Sequence, residues 1–198
     1  MPAKELTRQE QERERPLLMV DIDGVISLFG GSQLGGWTLD GGQRDRAELG
    51  GGSKAETIDG SLHSIDGSLH FLSSTAAAHL LALRDAFELV WASGWEERAN
   101  EHLPHLLGMP PALPFLRFER AVGRANAHWK LDAIEAYAHG RALAWVDDAL
   151  NDACHEWARA RAAPTLLVQT DPKRGLTASE AKRLAAWARG IGDTPRQG

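Results

Sequence analysis

Short apolar runs recur along the chain between stretches of helical periodicity. The first run, Leu17–Val20, predicts a fully buried strand because four apolar residues lead directly into the turn-prone segment Asp21–Gly24. Similar runs predict strands at Leu89–Ala92, Phe115–Phe118, Ala142–Val146 and Thr165–Gln169. Continuous apolar strands of this kind are typical of a sheet that is covered on both faces.

Helices are predicted between these strands. Ser74 is expected to cap the first helix, Pro104 to disturb the second, and Thr177 with Glu180 to form a capping box for the last. Alternating strands and helices imply an α/β fold whose parallel sheet binds ligands at the carboxyl ends of its strands. The predicted helices before the last one are Ser74–Phe87, Glu96–Leu107, Lys130–His139 and Asn151–Ala162.

The glycine-rich segment 27–74 interrupts this alternation and is interpreted as an insertion. Within it the hexapeptide 58–63 recurs as 65–70, and a shift of seven would turn the two copies to opposite faces of one strand. The repeat therefore predicts successive short strands or turns. His63 and His70 are too few ligands for a metal site, so local duplication in a tolerant loop is the favoured interpretation.

Composition limits the class of protein. A length of 198 residues with 43% hydrophobic content suits one domain over 16–198, preceded by a mobile arm over 1–15. The net charge of -5 argues against sequence-blind nucleic-acid binding but leaves a local basic patch open. Cys154 is the only cysteine, which excludes an internal disulfide and fits a reducing cytoplasm. The apolar run at 17–20 is too short for a signal peptide or a membrane span.

The candidate functional residues are predicted to lie at one edge of the sheet. Polar side chains follow three of its strands, and the carboxyl ends of parallel strands share an edge. They are expected to meet in one crevice. The residues are Asp21 and Asp23 after the first strand, Ser93 after the second, Asp147 and Asp148 after the strand that ends at Val146, and Lys130 at a helix start.

Four carboxylates in one crevice require a cation, because they would otherwise repel one another and raise each other's pKa. Hard oxygen ligands of this kind suit Mg²⁺, which normally takes few protein carboxylates together with a substrate phosphate. One carboxylate then remains free to attack the phosphate. The residues therefore favour phosphoryl transfer with a phosphorylated substrate.

The order of these residues resembles the four motifs of the haloacid dehalogenase (HAD) superfamily, whose fold is Rossmann-like. The resemblance covers residues 17 to 148. The segments are LLMVDIDGV at 17–25, VWASG at 90–94, Lys130, and AWVDD at 144–148.

The resemblance implies a role for each motif residue in a phosphatase. Asp21 would be the nucleophile that forms an aspartyl-phosphate, and Asp23 the general acid that later activates water. The Ser93 hydroxyl and nearby N–H groups such as that of Gly94 would hold a phosphate oxygen, and Lys130 would offset negative charge.

The resemblance also implies a magnesium site. Its ligands would be the Asp21 carboxylate, the Asp23 backbone carbonyl, and Asp147 or Asp148. Asp148 is equally suited to cap the following helix, so Asp147 is the expected ligand of these two. The superfamily's dehalogenases work without magnesium and lack an acid at the position of Asp23, so a phosphatase is expected. Receiver domains carry a similar residue set in a different order.

Structural interpretations of the same residues remain. Asp21–Gly24 is also a common turn, Ser93 with Gly94 is also a helix-entry turn, and Lys130 alone is also a solvated residue. A non-catalytic module that binds phosphate or a partner is therefore the alternative to an enzyme.

The insertion follows the first motif, where the superfamily places a flap or cap. Its glycine content predicts a β-type flap over an open site, which suits a large substrate such as a polymer end or a phosphoprotein better than a small metabolite. The chain resembles small HAD-like proteins of unassigned substrate and, more loosely, the HAD domains of RNA-repair enzymes.

A basic and aromatic stretch between the second and third motifs is a candidate contact for a second phosphate. Its residues are Arg117, Arg120, Arg124, His128 and Trp129. Trp37 and Trp95 are candidates for stacking on a base, which keeps a nucleic-acid-end phosphatase as an alternative. The favoured interpretation is structural, with solvated arginines and with core positions for Trp91, Trp145, Trp157 and Trp187.

Overall fold

The computed structural model describes residues 15–29, 58–119 and 126–192. The predicted arm before Arg15, residues 30–57 of the predicted insertion, Trp37, Arg120 and Arg124 lie outside the described residues. The strands are β1 Leu17–Val20, β2 Ser27–Leu28, β3 Gly60–Ile65, β4 Ser68–Ser73, β5 Glu88–Trp91, β6 Leu143–Asp147 and β7 Thr165–Gln169. The helices are α1 Ser74–Ala82, α2 Arg98–Leu107, α3 Leu131–Ala138, α4 Asp152–Ala160 and α5 Ala178–Gly192, with a 3₁₀ turn at Ala127–Lys130.

Four of the described strands form a parallel sheet in the order β5-β1-β6-β7. β1 lies at its centre and pairs in parallel with β5 on one side and β6 on the other. The α/β class and the parallel sheet are thus confirmed. The predicted strand at Phe115–Phe118 is wrong, because only Phe115 bridges Trp91, and the N–H of Phe118 donates to the Glu96 side chain at 3.0 Å instead of to a neighbouring strand.

Both faces of this sheet are covered by helices. Leu18 and Val20 of β1 belong to a core cluster that includes buried residues of α1, α2 and α5. Leu17 and Met19 point the other way, into a cluster with residues of α3 and α4. This alternation explains why β1 is apolar throughout, since each of its residues packs against a helical layer.

Several predicted helix ends differ from the structure. Ser73, not Ser74, caps α1, accepting a hydrogen bond from the N–H of Ala76. The predicted extension of this helix to Phe87 is wrong, because the chain turns after Ala82. α2 begins at Arg98, two residues later than predicted, and runs through Pro104. One of the two bonds of the predicted capping box of α5 is present, since the Glu180 carboxylate accepts from the N–H of Thr177, and it also accepts from the Thr177 hydroxyl.

The described part of the insertion forms a small antiparallel sheet in the order β2-β4-β3. β3 and β4 are a hairpin, joined by a turn in which Asp66 and Gly67 have φ values of 50° and 78°. Positive φ at both central positions is typical of the tight turn favoured by Asp-Gly. The prediction of successive short strands or turns is confirmed, and His63 lies directly opposite His70.

The strand order determines where a crevice forms. The chain leaves β1 for β5 on one side of the sheet and later returns to β6 on the other, so the connections diverge beyond the carboxyl ends of β1 and β6. Ligand sites of open α/β sheets lie at this kind of position. Within the described ranges, no helix has the length and apolar content needed to span a bilayer.

Candidate active site

Asp21 and Asp147 lie side by side at the carboxyl edge of the sheet. Asp147 is the last residue of β6, and Asp21 follows β1 directly. The N–H of Asp21 donates to the carbonyl of Val146 at 3.0 Å, which continues the pairing of the two strands into the site. Two carboxylates separated by more than 120 positions in the chain therefore meet through strand register.

Asp21, Asp147 and Asp148 form an acidic group that can hold a metal ion. Each offers one carboxylate oxygen, and these three oxygens all lie within 4.8 Å of one another. Asp147 is completely buried and Asp21 is 7% exposed, whereas Asp148 is half-buried. Carboxylates this close repel one another, so their charged forms are favoured only when a positive charge lies beside them.

Lys130 supplies part of that positive charge. Its ammonium lies 2.7 Å from Oδ2 of Asp147 and 3.0 Å from Oδ2 of Asp21. Burial of the Lys130 side chain favours its neutral form, but the two carboxylates outweigh this effect and raise its pKa. The 3₁₀ turn that ends at Lys130 thus brings a charged lysine to the carboxylates, and it is not the solvated residue considered above.

Asp147 and Asp148 differ in how the protein binds their carboxylates. Asp147 accepts from Lys130 through Oδ2 and from the N–H of Ala149 through Oδ1, at 2.7 and 2.9 Å. No described side chain donates to the Asp148 carboxylate. Asn151 is the residue that caps α4, through the N–H of Cys154, so the interpretation of Asp148 as the cap is wrong.

Both of these carboxyls have a pKa raised from 3.8 to about 6. Burial is the larger cause for each, and the negative charge of Asp21 adds to it. For Asp147 the Lys130 ammonium and its hydrogen bond act in the opposite direction. In this site the ionised forms of Asp147 and Asp148 are therefore less favourable than in water. A bound cation would offset this effect, as expected of a metal site.

Asp23 lies beside Asp21 but has a different environment. Its Oδ2 accepts a hydrogen bond of 3.0 Å from the indole N–H of Trp95, and its Oδ1 is 3.9 Å from Nδ1 of His70. Burial, followed by the charge of Asp21, raises the pKa of Asp23, while the Trp95 hydrogen bond opposes the rise. A raised pKa favours the protonated carboxyl that a general acid requires.

Ser93 and Gly94 form a tight turn after β5. Ser93 is buried, and its carbonyl accepts from the N–H of Glu96 at 3.0 Å. Glu96 has a φ of 47°, a left-handed conformation that is uncommon for a residue with a Cβ. The turn directs Gly94 and Trp95 to the same crevice as the carboxylates.

A cavity of about 530 Å³ joins these groups. All seven candidate site residues line it, so the predicted convergence is observed, although the role of each residue remains a prediction. The candidate residues in its wall are Asp21, Asp23, Ser93, Gly94, Lys130, Asp147 and Asp148. Sequence reasoning missed Asp66 of the hairpin and Arg98, which pairs with Asp66 at 2.7 Å, and it considered His70 only as a metal ligand beside His63. The repeated hexapeptide was the one signal near these hairpin residues.

The basic and aromatic stretch contributes Trp129 to the cavity wall. Arg117 instead lies over the ring of Phe115 and pairs with Glu97 at 3.4 Å, outside the cavity. His128 is hydrogen-bonded with Asn151. Among the described residues of this stretch, Trp129 forms part of the cavity wall. Arg117 does not line the cavity and so is not placed to contact a second phosphate there.

The tryptophans divide into core and site residues. Trp91 and Trp145 are buried in the core as predicted, and Trp157 and Trp187 pack against it while partly exposed. Trp95 is 7% exposed, and its N–H is bound to Asp23. A buried ring of this kind does not offer the free face that base stacking needs.

In the comparisons with known proteins, no family model and no curated protein matches the chain. The chemistry of the site therefore rests on the geometry above.

Proposed function

We propose that the protein is a magnesium-dependent phosphomonoesterase that forms an aspartyl-phosphate on Asp21. The proposal includes a Rossmann-like fold of the HAD type, in which the sheet of β2, β3 and β4 is the flap. It is supported by the order of the four sequence motifs and by the strand order β5-β1-β6-β7. A phosphorylated substrate and a cytoplasmic location belong to the same proposal.

One observation carries this proposal. The carboxylates of Asp21, Asp147 and Asp148 converge within 4.8 Å beside the buried ammonium of Lys130. Purely structural turns would leave such carboxylates exposed to water, since an unpaired buried charge is costly. An arrangement with more buried negative than positive charge fits a site completed by a cation and a substrate.

The donor set fits Mg²⁺. Carboxylate oxygens are the hard ligands that this ion prefers, and it normally takes only a few of them. Asp21 and Asp148 would be carboxylate ligands, with Asp147 close by and the Asp23 carbonyl as a further oxygen. When bound, Mg²⁺ would offset the negative charge that the phosphate and the carboxylates share.

The chain's own residues account for the transfer. A carboxylate oxygen of Asp21 attacks phosphorus while the bond from phosphorus to the ester oxygen breaks. Asp23 gives its proton to the departing ester oxygen. Lys130 orients the Asp21 carboxylate through their 3.0 Å ion pair, and the turn at Ser93 and Gly94 holds a phosphate oxygen.

Hydrolysis of the intermediate reverses the part played by Asp23. Its carboxylate now takes a proton from a water molecule, and that water attacks the phosphorus of the aspartyl-phosphate. Inorganic phosphate leaves, and Asp21 is restored as a carboxylate. Asp23 then holds the proton again, so the cycle closes without a further acid or base.

The test is hydrolysis of an aryl phosphate by the purified protein. Activity should disappear in Asp21→Asn and after chelation of magnesium, and calcium should inhibit because its larger, looser coordination misplaces the attacking carboxylate. Asp152→Asn, which changes an exposed carboxylate at the start of α4, is the matched control and should keep full activity. Activity in Asp21→Asn equal to that of the control would refute the nucleophile.

The same experiment separates the alternatives. A broad panel of nucleotides, sugar phosphates and 3′- or 5′-phosphorylated oligonucleotides reveals whether the substrate is a small molecule or a nucleic-acid end. Binding of magnesium and fluoroberyllate without turnover of any panel member would instead identify a non-catalytic phosphate-binding module.

A further inference from the structure

Trp95 joins the turn after β5 to the carboxyl of Asp23. Its indole N–H donates to Oδ2 of Asp23 at 3.0 Å across 72 positions of sequence. The ring is 7% exposed, so it is almost completely buried although it lines the cavity. Trp95 therefore contributes a buried hydrogen-bond donor to the site and little open surface.

The two oxygens of Asp23 have different surroundings. Oδ2 is held by Trp95, whereas Oδ1 faces His70, whose Nδ1 is 3.9 Å away, and the Ser27 side chain also interacts with the carboxyl. His70 is itself oriented by the hydroxyl of Ser27, at 3.0 Å from the same nitrogen. The carboxyl plane of Asp23 is thus defined from two sides, by the turn after β5 and by the small antiparallel sheet.

The indole ring is fixed by its neighbours. His70 packs against it edge to face with ring centroids 4.9 Å apart, and His102 of α2 makes a similar contact at 6.5 Å. A hydrogen bond to a carboxyl determines its orientation only when the donor cannot move. Trp95 meets this condition because the small sheet and α2 both contact it.

The backbone next to Trp95 is strained in a way that keeps the ring directed inward. Glu96 adopts a φ of 47°, and this conformation is maintained by its N–H bond to the Ser93 carbonyl and by its side chain, which accepts from the N–H of Phe118 at 3.0 Å. Such strain persists only where the surrounding structure overdetermines it. Here it turns the chain so that Trp95 reaches Asp23.

We propose that Trp95 is a positioning residue for proton transfer by Asp23. By holding Oδ2, it leaves Oδ1 as the oxygen that gives its proton to the departing ester oxygen and later accepts one from water. The inference rests on the proposed phosphatase function and adds a residue to it. It also assigns Trp95 a role other than stacking on a base.

The test uses esters that differ in their need for an acid. A nitrophenolate leaves without a proton, whereas an alkoxide requires one. In Trp95→Phe, kcat/KM should fall roughly 10- to 100-fold for an alkyl phosphate but less than about threefold for 4-nitrophenyl phosphate. This parameter covers steps up to departure of the leaving group, and a general loss of folded protein would lower both values equally.

Trp91→Phe is the matched control. Trp91 is also buried and also donates its indole N–H, here to Asn100 at 3.3 Å, on the core side of β5. Its loss should reduce stability and leave the ratio of alkyl to nitrophenyl activity unchanged. Comparison of the two variants thus distinguishes the general effect of losing a buried indole hydrogen bond from the specific effect of losing the hydrogen bond to Asp23.

A second measurement does not depend on activity or on the folding of Trp95→Phe. The indole N–H resonance of Trp95 in the wild-type protein should exchange slowly with solvent and shift in Asp23→Ala, while the Trp91 resonance stays unchanged. An unshifted Trp95 resonance would overturn the proposal. Equal losses for both esters in a folded Trp95→Phe would overturn it as well, with the proposed function intact. A wild-type protein that hydrolyses neither ester would refute the function and the role of Trp95 together.

Discussion

Lys130 donates a hydrogen bond of 2.7 Å to Oδ2 of Asp147, and both side chains are almost completely buried. The same ammonium also lies 3.0 Å from Asp21. One cation is therefore shared between two carboxylates, and Asp148 adds a third. Among the described residues of the site, buried negative charge exceeds buried positive charge, which is the electrostatic reason to expect an added cation.

Lys130→Met should destabilise the protein by about 3–5 kcal/mol in EDTA, because it leaves buried carboxylates without a partner. Magnesium should restore part of the loss by replacing the missing charge. Urea unfolding with and without magnesium measures both effects. Lys173→Met, at an exposed lysine, is the control and should change stability by less than about 0.5 kcal/mol. A loss as small as that of the control would contradict the charge balance described here.

Asp148→Asn should weaken magnesium binding while leaving the fold largely unchanged. Its carboxylate accepts no hydrogen bond from a described side chain, so little else depends on its charge. Asp147→Asn should affect stability as well, because the Asp147 oxygens accept from Lys130 and from the N–H of Ala149. Calorimetric titration and urea unfolding of both variants test this division. The reverse pattern would assign the ligand role to Asp147.

Magnesium affinity should rise with pH between 5 and 7. In the folded, metal-free protein the pKa values of Asp147 and Asp148 are about 6, so protons compete with the ion below that pH. The unfolded chain loses these protons near 3.8, so the two groups also make folding less favourable as pH rises from 4 to 6. Titrations in buffers of different ionisation enthalpy should detect proton release on binding, and a pH-independent affinity would argue against these ligands.

Gly24→Ala should be more harmful than Gly67→Ala. Both glycines have a positive φ, of 72° and 78°, but a Cβ at Gly24 would overlap the Asp148 side chain, whereas one at Gly67 meets nothing. Gly67→Ala should cost about 1–2 kcal/mol from backbone strain alone, and Gly24→Ala about 2–5 kcal/mol. Gly24→Ala should also weaken magnesium binding by displacing Asp148. Equal free energies of unfolding for the two variants would show that Asp148 accommodates the added methyl group.

The strands of the parallel sheet could be predicted from the sequence where the apolar pattern and the neighbouring turn residues both indicate a strand. Leu17–Val20 and Thr165–Gln169 match the observed strands because short apolar runs beside turn residues admit few other structures. The helix predicted to Phe87 ends at Ala82 instead. Leu83 and Phe87 are buried in the core beyond the helix, so their apolar character indicates packing and not helical continuation.

The convergence of Asp21 and Asp147 was also predictable, because parallel strands end at one edge. The contact between Trp95 and Asp23 was not. It depends on a left-handed residue at Glu96, and on how His70 lies against the indole, neither of which leaves a periodic signal in the sequence. Side chains that complete a site from turns and hairpins are determined by tertiary geometry.

The repeated hexapeptide adopts two conformations. In the first copy Asp59 and Gly60 lead into a strand, and a Cβ at Gly60 would strike the Leu72 carbonyl. In the second copy Asp66 and Gly67 form the tight hairpin turn, where a Cβ at Gly67 would meet nothing. The two glycines of the repeat are thus required for different reasons. Gly60 is required because a side chain would not fit, and Gly67 because its φ is positive. Drift since the duplication would therefore be expected to erase the likeness of the two copies unevenly, with each glycine retained for its own reason.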